Sequence, residues 1–410
     1  MALPQRPAIP FVLITVLIDM IGVGLMLPVL PVLVGEFTAS REAQTYWYGA
    51  LAASYGLMLF LCAPALGAAS DRYGRRPVLL VGIAGLGTLF LVAALATSLW
   101  MLFAARMLAG ATGATLAVAN AYLADITPPE DRARQFGRIG AMFGVGFIIG
   151  PAAGGMLGAI DVRLPFYAAA CLSLANFAYG WLVLPESLPR ERRQPFDLAR
   201  ANPIASLAAL ARLHGVGLLV VVYALVNLAQ FILHTNWVLY TGFRFGWGPR
   251  ETGLSLFVVG LMSVLVQGVL LGWLVRRFGE RTMALAGIGS WVLAFIAWGT
   301  ATQSWMMYAV IFANLLAFAA VPSLQALVSK AADANEQGRT MGALSSLASL
   351  MVVIAPMIGA PVLAEVSELP AGDWRIGAPF FVSAALQTLA LLLAGWHFAQ
   401  HAPAAGRPTS

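Results

Sequence analysis

The stretch GAASDRYGRR, residues 67–76, decides how the chain is organised, because it sets a charged loop inside apolar sequence. Its glycines and charged residues are Gly67, Asp71, Arg72, Gly74, Arg75 and Arg76. On both sides lie long apolar runs, in a chain that is 60% hydrophobic and only 10% charged. Apolar runs of about 18 residues or more cross a bilayer as helices, and open sheets cannot face lipid. The sequence therefore predicts an all-α polytopic membrane protein.

The apolar runs predict twelve membrane spans, six before and six after a polar segment at 186–213. They lie at residues 11–34, 47–69, 78–97, 100–123, 136–159, 163–184, 214–240, 251–274, 282–300, 304–327, 340–364 and 375–399. We expect an N-terminal six-helix bundle at 1–185, a cytoplasmic linker at 186–213 and a C-terminal six-helix bundle at 214–410. The first run is too long for a signal peptide and is expected to be retained.

The arginines and lysines orient these spans. Of the 24 Lys and Arg residues, 18 fall on the side of the membrane that also carries both termini. Basic residues mark cytoplasmic loops. We therefore expect a multi-pass protein of the inner (plasma) membrane with both termini in the cytoplasm, and the net charge of +6 reflects this topology rather than a nucleic-acid partner.

The opening stretch has a second copy. GAASDRYGRR at 67–76 aligns with GWLVRRFGER at 272–281, an offset of 205 residues. The same offset pairs Gly67 with Gly272, Gly74 with Gly279, Arg134 with Arg339, and Pro151 with Pro356. One constant offset at separated positions predicts two six-helix halves of one design in the same orientation, which is a known transporter plan.

Together these motifs resemble the major facilitator superfamily over essentially the whole chain. GAASDRYGRRPVLL resembles its signature between spans 2 and 3, and RMLAGATGA, beginning at Arg106, resembles its span-4 arginine motif. GVGFIIGPAAGG, residues 144–155, resembles the span-5 signature of drug–proton antiporters. The resemblance implies the major facilitator fold, with twelve helices in two pseudo-symmetric bundles, and transport by alternating access.

A narrower resemblance is to the bacterial tetracycline-efflux antiporters. Asp19 and Gln267 match carboxylate and glutamine positions of that group, whereas Leu59 replaces a span-2 glutamine. Those pumps also carry carboxylates in spans 3 and 9, but this chain has no Asp or Glu between 78 and 123 or between 282 and 327. The resemblance implies export of an amphipathic compound in exchange for protons and leaves open whether that compound is tetracycline.

Two charged residues lie inside predicted spans. An ionised carboxylate at Asp19 in span 1 costs about 3 kcal/mol in the bilayer, which suits the group to binding and releasing a proton. The alternative is a structural hydrogen bond to a neighbouring helix. Arg106 in span 4 does not deprotonate. The resemblance implies that it influences proton release, and the alternative is a static ion pair.

The resemblance also implies a latch at the cytoplasmic loop between spans 2 and 3. Asp71 would bind the N-terminal end of span 11, whose free N–H groups favour an anion. The three loop arginines would pair with acidic groups such as Asp125 or Glu130. Simple positive-inside anchoring also explains the arginines, but not Asp71 and the glycines at these spacings.

Small residues in span 5 predict a tight, kinked seam between the halves that resists ion leakage. They are Gly146, Gly150, Pro151, Gly154 and Gly155. Ordinary helix packing is the alternative.

Polar residues in spans are expected to face a substrate cavity. The candidates in span 7 share one helical face at i, i+3, i+7 and i+10, and they are Asn227, Gln230, His234 and Trp237. Further candidates are Asn120, Gln267, Asn314 and Gln325. His234 could bind substrate or carry a proton, or it could make a structural hydrogen bond.

Other classes of protein fit less well. The sequence contains no GxxxxGK[ST] motif, which argues against an ATP-driven pump. Its four histidines form no cluster for metal or acid–base catalysis. We therefore expect no enzyme activity, no cofactor and no metal site. The expected partners are a small-molecule substrate, protons and the lipid bilayer, with the chain acting as a monomer. Uptake or export of a small endogenous metabolite is the alternative to drug export.

Overall fold

The structure, a computed structural model, describes residues 8–113, 115–196, 217–331 and 337–400. The helices, numbered as spans, are Ala8–Met26 (1), Arg41–Tyr73 (2), Arg75–Ala94 (3), Leu99–Thr112 with Thr115–Ile126 (4), Arg132–Gly158 (5), Leu164–Val183 (6), Gly217–Phe245 (7), Pro249–Val264 with Leu271–Phe278 (8), Glu280–Thr300 (9), Ser304–Ala313 with Ala320–Ala331 (10), Gln337–Ala364 (11) and Ala378–Gln400 (12).

Eleven helices within these ranges are long and apolar enough to span a membrane, and a pair bent by 51° at Asn314 makes a twelfth. The described residues contain no β-strand. The predicted all-α architecture of twelve spans is therefore confirmed. The division into bundles 1–185 and 214–410 stays a prediction, and residues 197–213 of the predicted linker lie outside the described residues.

Two span boundaries were predicted wrongly. Span 1 ends at Met26 instead of residue 34, and a separate short helix follows at Leu30–Gly35. Pro28 and Pro31 explain the break, because proline has no N–H to continue the helical hydrogen bonds. Span 2 begins at residue 41 instead of 47, because the Ser40 hydroxyl accepts a hydrogen bond from the Ala43 amide and caps the helix.

Equivalent positions in the two halves share unusual geometry. Gly74 and Gly279, 205 residues apart, precede spans 3 and 9 with φ angles of +105° and +80°. A side chain is strained in that conformation, which explains the two glycines. Spans 4 and 10 are both interrupted near their middles, the first at Gly113 and the second at Asn314.

An ion pair is repeated with its charges exchanged. In the first half, Arg75 Nε lies 3.1 Å from the Asp125 carboxylate and joins the start of span 3 to the end of span 4. The positions 205 residues after Arg75 and Asp125 are Glu280 and Lys330. Glu280 lies 2.7 Å from Lys330 Nζ and joins span 9 to span 10. The same link between neighbouring helices thus survives with opposite charges, which supports two copies of one design.

Exposed tryptophans mark both ends of the helix bundle, as expected where amphipathic rings meet the membrane surface. One end, here called the arginine-rich end, carries the loops between spans 2 and 3, 4 and 5, and 8 and 9. Its exposed tryptophans are Trp181, Trp273 and Trp396. Those of the opposite, arginine-poor end are Trp100, Trp305 and Trp374.

The two halves touch through spans 2 and 11 and through spans 5 and 8, and glycines make the close approaches. A Cβ at Gly49 would lie 2.3 Å from the Ala360 Cβ. A Cβ at Gly155 would lie 2.9 Å from the Gly253 Cα. All four residues lie toward the arginine-poor end, so the seam is closed there.

The same spans separate toward the arginine-rich end. A Cβ added at the glycines there would meet no heavy atom within 4 Å, and these glycines are Gly67, Gly137, Gly140, Gly272 and Gly342. Among the described residues, the bundle is therefore open toward the arginine-rich end and closed at the other.

A carboxylate fastens the closed end. Glu368, just beyond span 11, accepts hydrogen bonds from the amides of Arg41 (2.9 Å) and Glu42 (3.3 Å) at the start of span 2. Free amides at a helix N-terminus favour an anion. The Arg41 guanidinium also lies 5.1 Å from the Phe243 ring of span 7. These contacts tie the halves together at the arginine-poor end.

We expect Glu368→Gln to open this end more often, because the amide lacks the charge that the helix N-terminus favours. The measurement is the rate at which an impermeant maleimide labels Ala360→Cys, a position that is 2% exposed. This rate should rise about fivefold in Glu368→Gln, which corresponds to a loss of about 1 kcal/mol from the closed state. Cys62 and Cys171 are first replaced by serine. Glu365→Gln changes a second exposed glutamate of the same segment and should leave the rate unchanged. Equal rates in all variants would contradict the role of Glu368.

Candidate functional site

Asp19 is buried in the middle of the first half. It is 4% exposed, and its Oδ2 accepts a hydrogen bond of 2.6 Å from the Thr115 hydroxyl of span 4. Its Oδ1 is also buried and has no hydrogen-bond partner among the described residues. One oxygen thus makes the interhelical bond that a structural role would need, while the other is left without a donor and can take a proton.

Arg106 is a second buried charge of the first half, and it does not pair with a carboxylate of the described residues. No acidic group of the described residues lies within 4 Å of its guanidinium, which is held by weaker contacts. Its Nη1 lies 3.2 Å from the Met26 sulfur, and its Cζ lies 4.1 Å from the centroid of the Tyr55 ring. Its buried Nε has no partner. The described residues thus provide no static ion pair for Arg106.

Broken helices flank the centre of both halves. Thr115, which binds Asp19, begins the second part of span 4. In span 10 the break lies at Asn314, whose Oδ1 accepts a hydrogen bond of 2.5 Å from Ser290 of span 9. The Trp291 indole donates to the carbonyl of Ala317, in the short helical turn after the break, at 3.0 Å. Interrupted helices at matching points of two halves are typical of transporter binding sites.

The four candidates of span 7 do not form one cavity face. Trp237 is buried, donates its indole N–H to Ser255 at 3.0 Å and packs edge to face on Trp298 at 5.2 Å. Asn227 is buried and donates to the Tyr223 carbonyl at 2.8 Å. Gln230 is half-buried, and only His234 is exposed. A face of a span that packs against several neighbours is not exposed along its whole length.

The other substrate candidates differ in accessibility. Gln267 is exposed within a π-helical segment, Leu265–Leu270, and donates to Ser263 at 2.7 Å. Gln325 donates to the Tyr223 hydroxyl at 3.1 Å and so joins spans 7 and 10. Asn120 is half-buried. Of all the candidates, His234 and Gln267 are therefore the most accessible, and substrate binding by any of them stays a prediction.

The loop between spans 2 and 3 is held within its own half. The Arg75 guanidinium lies 2.5 Å from Asp71 and 3.1 Å from Asp125, so the expected pairing with Asp125 is present. The Arg76 guanidinium donates to the Trp181 carbonyl at 2.7 Å, and Arg72 lies 5.2 Å from the Tyr73 ring. The latch between Asp71 and span 11 stays a prediction, since this conformation is open at that end.

Glu186 completes the loop and was missed by the sequence analysis. It follows span 6 directly, and its Oε1 accepts from the backbone amide of Arg75 at 2.8 Å. A Cβ at Gly74 would lie 2.3 Å from its other oxygen. The only sequence signal was an acidic residue at a predicted helix end, and its partner is 111 residues away.

The span-5 signature divides between two neighbours. A Cβ at Gly146, Gly150 or Gly154 would collide with span 1, whose Gly24 lies directly against Gly150. Gly155 instead meets Gly253 of span 8, and the Pro151 carbonyl also points at Gly253. Pro151 remains inside a continuous helix. Part of the signature therefore lies at the seam between the halves, and part packs inside the first half.

Comparison with known proteins agrees with this architecture. The family model described as Major Facilitator Superfamily matches residues 12–356 and 219–410. The chain is 40% identical to the tetracycline resistance protein, class C, of Escherichia coli over 376 residues, covering 92% of this chain and 94% of the relative. It is 37% identical to the class D protein of Salmonella ordonez over 378 residues, covering 92% and 95%.

A solved structure with the same fold is the human organic anion transporter MFSD10 (TETRAN). The TM-score is 0.69 at 25% identity, and the match covers 96% of this chain and 100% of that one.

We expect Glu186→Gln to destabilise the first half by about 2 kcal/mol, because neutral oxygens accept hydrogen bonds from backbone amides less well than a carboxylate. The midpoint of thermal unfolding in detergent should fall by several degrees. Glu191→Gln, which changes an exposed glutamate five residues away, should leave it unchanged. Equal midpoints for both variants would show that Glu186 does not hold the loop.

Proposed function

Because the chain belongs to the major facilitator superfamily, we propose that it exports an amphipathic, drug-like compound in exchange for protons by alternating access. The chain is a multi-pass membrane transporter and not an enzyme. The direction of transport, the antiport and the compound belong to the proposal.

The observation that carries the proposal is the half-satisfied carboxylate of Asp19. One oxygen has a hydroxyl donor and the other has none, so the site can hold the group with or without a proton. Arg106 is buried in the same half without a carboxylate partner among the described residues, which leaves a fixed positive charge there. Charged residues in membrane spans commonly mark proton pathways.

The shape of the molecule is compatible with export. The bundle is open toward the arginine-rich end, and arginine-rich loops are typically cytoplasmic. In this orientation both termini are cytoplasmic, and the open side takes up a compound from the cytoplasm. We place the protein in the inner (plasma) membrane, acting as a monomer.

Tetracycline-like compounds are the first candidates for the substrate, since the most similar relatives reported above carry tetracycline resistance in their names. Tetracycline-efflux antiporters carry carboxylates in spans 3 and 9, whereas this chain has no Asp or Glu at residues 78–123 or 282–327. A small endogenous metabolite therefore remains the second candidate.

The direct test uses inverted membrane vesicles with an acid interior and a pH-sensitive dye. A panel of amphipathic compounds is added, including tetracycline with Mg²⁺. Alkalinisation of the interior on adding one compound would support proton antiport and identify a substrate. No response across the panel, with the protein present, would contradict drug export and favour the metabolite.

Asp19→Asn should abolish the response, because the amide cannot exchange a proton, whereas protein levels in the membrane should be unchanged. Asp131→Asn, at an exposed loop aspartate, provides the control and should respond as the wild type does. Proton-driven transport at the normal rate by Asp19→Asn would rule out Asp19 as the coupling group.

Asp71→Asn tests the proposed latch. Its loss should reduce the transport rate at least about tenfold without loss of protein, because closure of the cytoplasmic end would lack its anion at span 11. Asp161→Asn, in the loop at the opposite end, is the control. Full activity of Asp71→Asn would leave the loop as a topology signal only.

A further inference from the structure

The ring of Tyr55 is the closest aromatic contact of Arg106. Arg106 is only 9% exposed, and its guanidinium also contacts the Met26 sulfur, which is a weak acceptor. A cation over an aromatic face is attracted to it, more strongly where water is excluded. At 4.1 Å from the ring centroid, Tyr55 therefore determines where the Arg106 charge lies.

Span 4 is shaped to receive this ring. Arg106, Gly110 and Gly113 follow one another at i, i+4 and i+7 on one face of the helix. A Cβ at Gly110 would lie 2.3 Å from the Tyr55 carbonyl oxygen, and one at Gly113 would lie 3.3 Å from the Tyr55 hydroxyl oxygen. Gly110 thus leaves room for the Tyr55 backbone and Gly113 for its hydroxyl end, so the two spans approach closely where the ring lies beside the arginine.

The neighbouring residue connects Tyr55 to the seam between the halves. A Cβ at Gly56 would lie 3.1 Å from the Val352 side chain of span 11. Residues 55 and 56 are thus contacted by span 4 of their own half and by span 11 of the other.

We propose that Tyr55 is a positioning residue for proton coupling: its ring, 4.1 Å from the Arg106 Cζ, holds the guanidinium against span 2 and away from the unpartnered oxygen of Asp19. The ring performs this role, and the hydroxyl is not required. The proposal rests on the proposed function of Asp19 as the proton-coupling group.

The test compares Tyr55→Phe, which keeps the ring, with Tyr55→Leu, which removes it. Protonation of Asp19 is followed by infrared spectroscopy of the purified protein, as the carboxylic acid band that Asp19→Asn lacks. Tyr46→Leu changes an exposed tyrosine of the same span and is the control. This readout needs no substrate and no transport.

We expect the pH midpoint of the band to be unchanged in Tyr55→Phe and Tyr46→Leu. In Tyr55→Leu it should shift by about one pH unit, because a cation free to approach Asp19 favours the carboxylate. An unchanged midpoint in Tyr55→Leu would overturn the proposal, and so would an equal shift in Tyr55→Phe.

The same variants are then compared in the vesicle assay. The pH profile of transport should shift in Tyr55→Leu and be restored in Tyr55→Phe. Failure of the wild type to couple transport to protons would overturn the proposed function, whereas the infrared result would still decide where Tyr55 holds Arg106.

Discussion

The core of a bilayer provides no water for a charged side chain, and the first half of this protein is arranged around two of them. Asp19 has one hydroxyl donor, from Thr115, and Arg106 has an aromatic ring and a sulfur. Neither is fully satisfied, and they do not form an ion pair. If every polar atom of Asp19 and Arg106 had a partner, the Asp19 carboxyl would be fixed in one protonation state. It could then no longer exchange a proton. The incomplete contacts thus support the proposed role of Asp19 in proton coupling.

The contacts between the halves are suited to change. Glycines such as Gly49 and Gly155 bring backbones together without interlocking side chains, and such contacts can separate without breaking a polar network. The polar fastening at the closed end is the Glu368 carboxylate on the N-terminus of span 2. At the other end the loop between spans 2 and 3 keeps its charges within its own half. Glu368 thus binds a helix terminus at the closed end, and Asp71 is proposed to do so at the other end.

The sequence predicted the spans, the repeat and the buried charges, because apolar length, a constant offset and isolated charges are all legible along the chain. It did not predict what those charges touch. Thr115, Tyr55 and Glu186 look ordinary in sequence, and their partners lie 96, 51 and 111 residues away. The expectation that one face of span 7 lines a cavity did not foresee the burial of Trp237, for a related reason. Periodicity shows which residues of a helix align, but not which neighbouring helix covers them. Trp237 is covered by aromatic residues of the second half.

If Asp19 is the proton-coupling group of alternating access, its protonation should change which end of the bundle is open. We would measure it by spin labels on cysteines at positions 72 and 277, one on each half at the arginine-rich end, in protein whose native cysteines are replaced. The account predicts that the distance distribution changes between pH 5 and pH 8, as about three pH units suffice to titrate one group. It also predicts that Asp19→Asn gives the acid distribution at both values. A distribution that responds to pH equally in the wild type and in Asp19→Asn would contradict it.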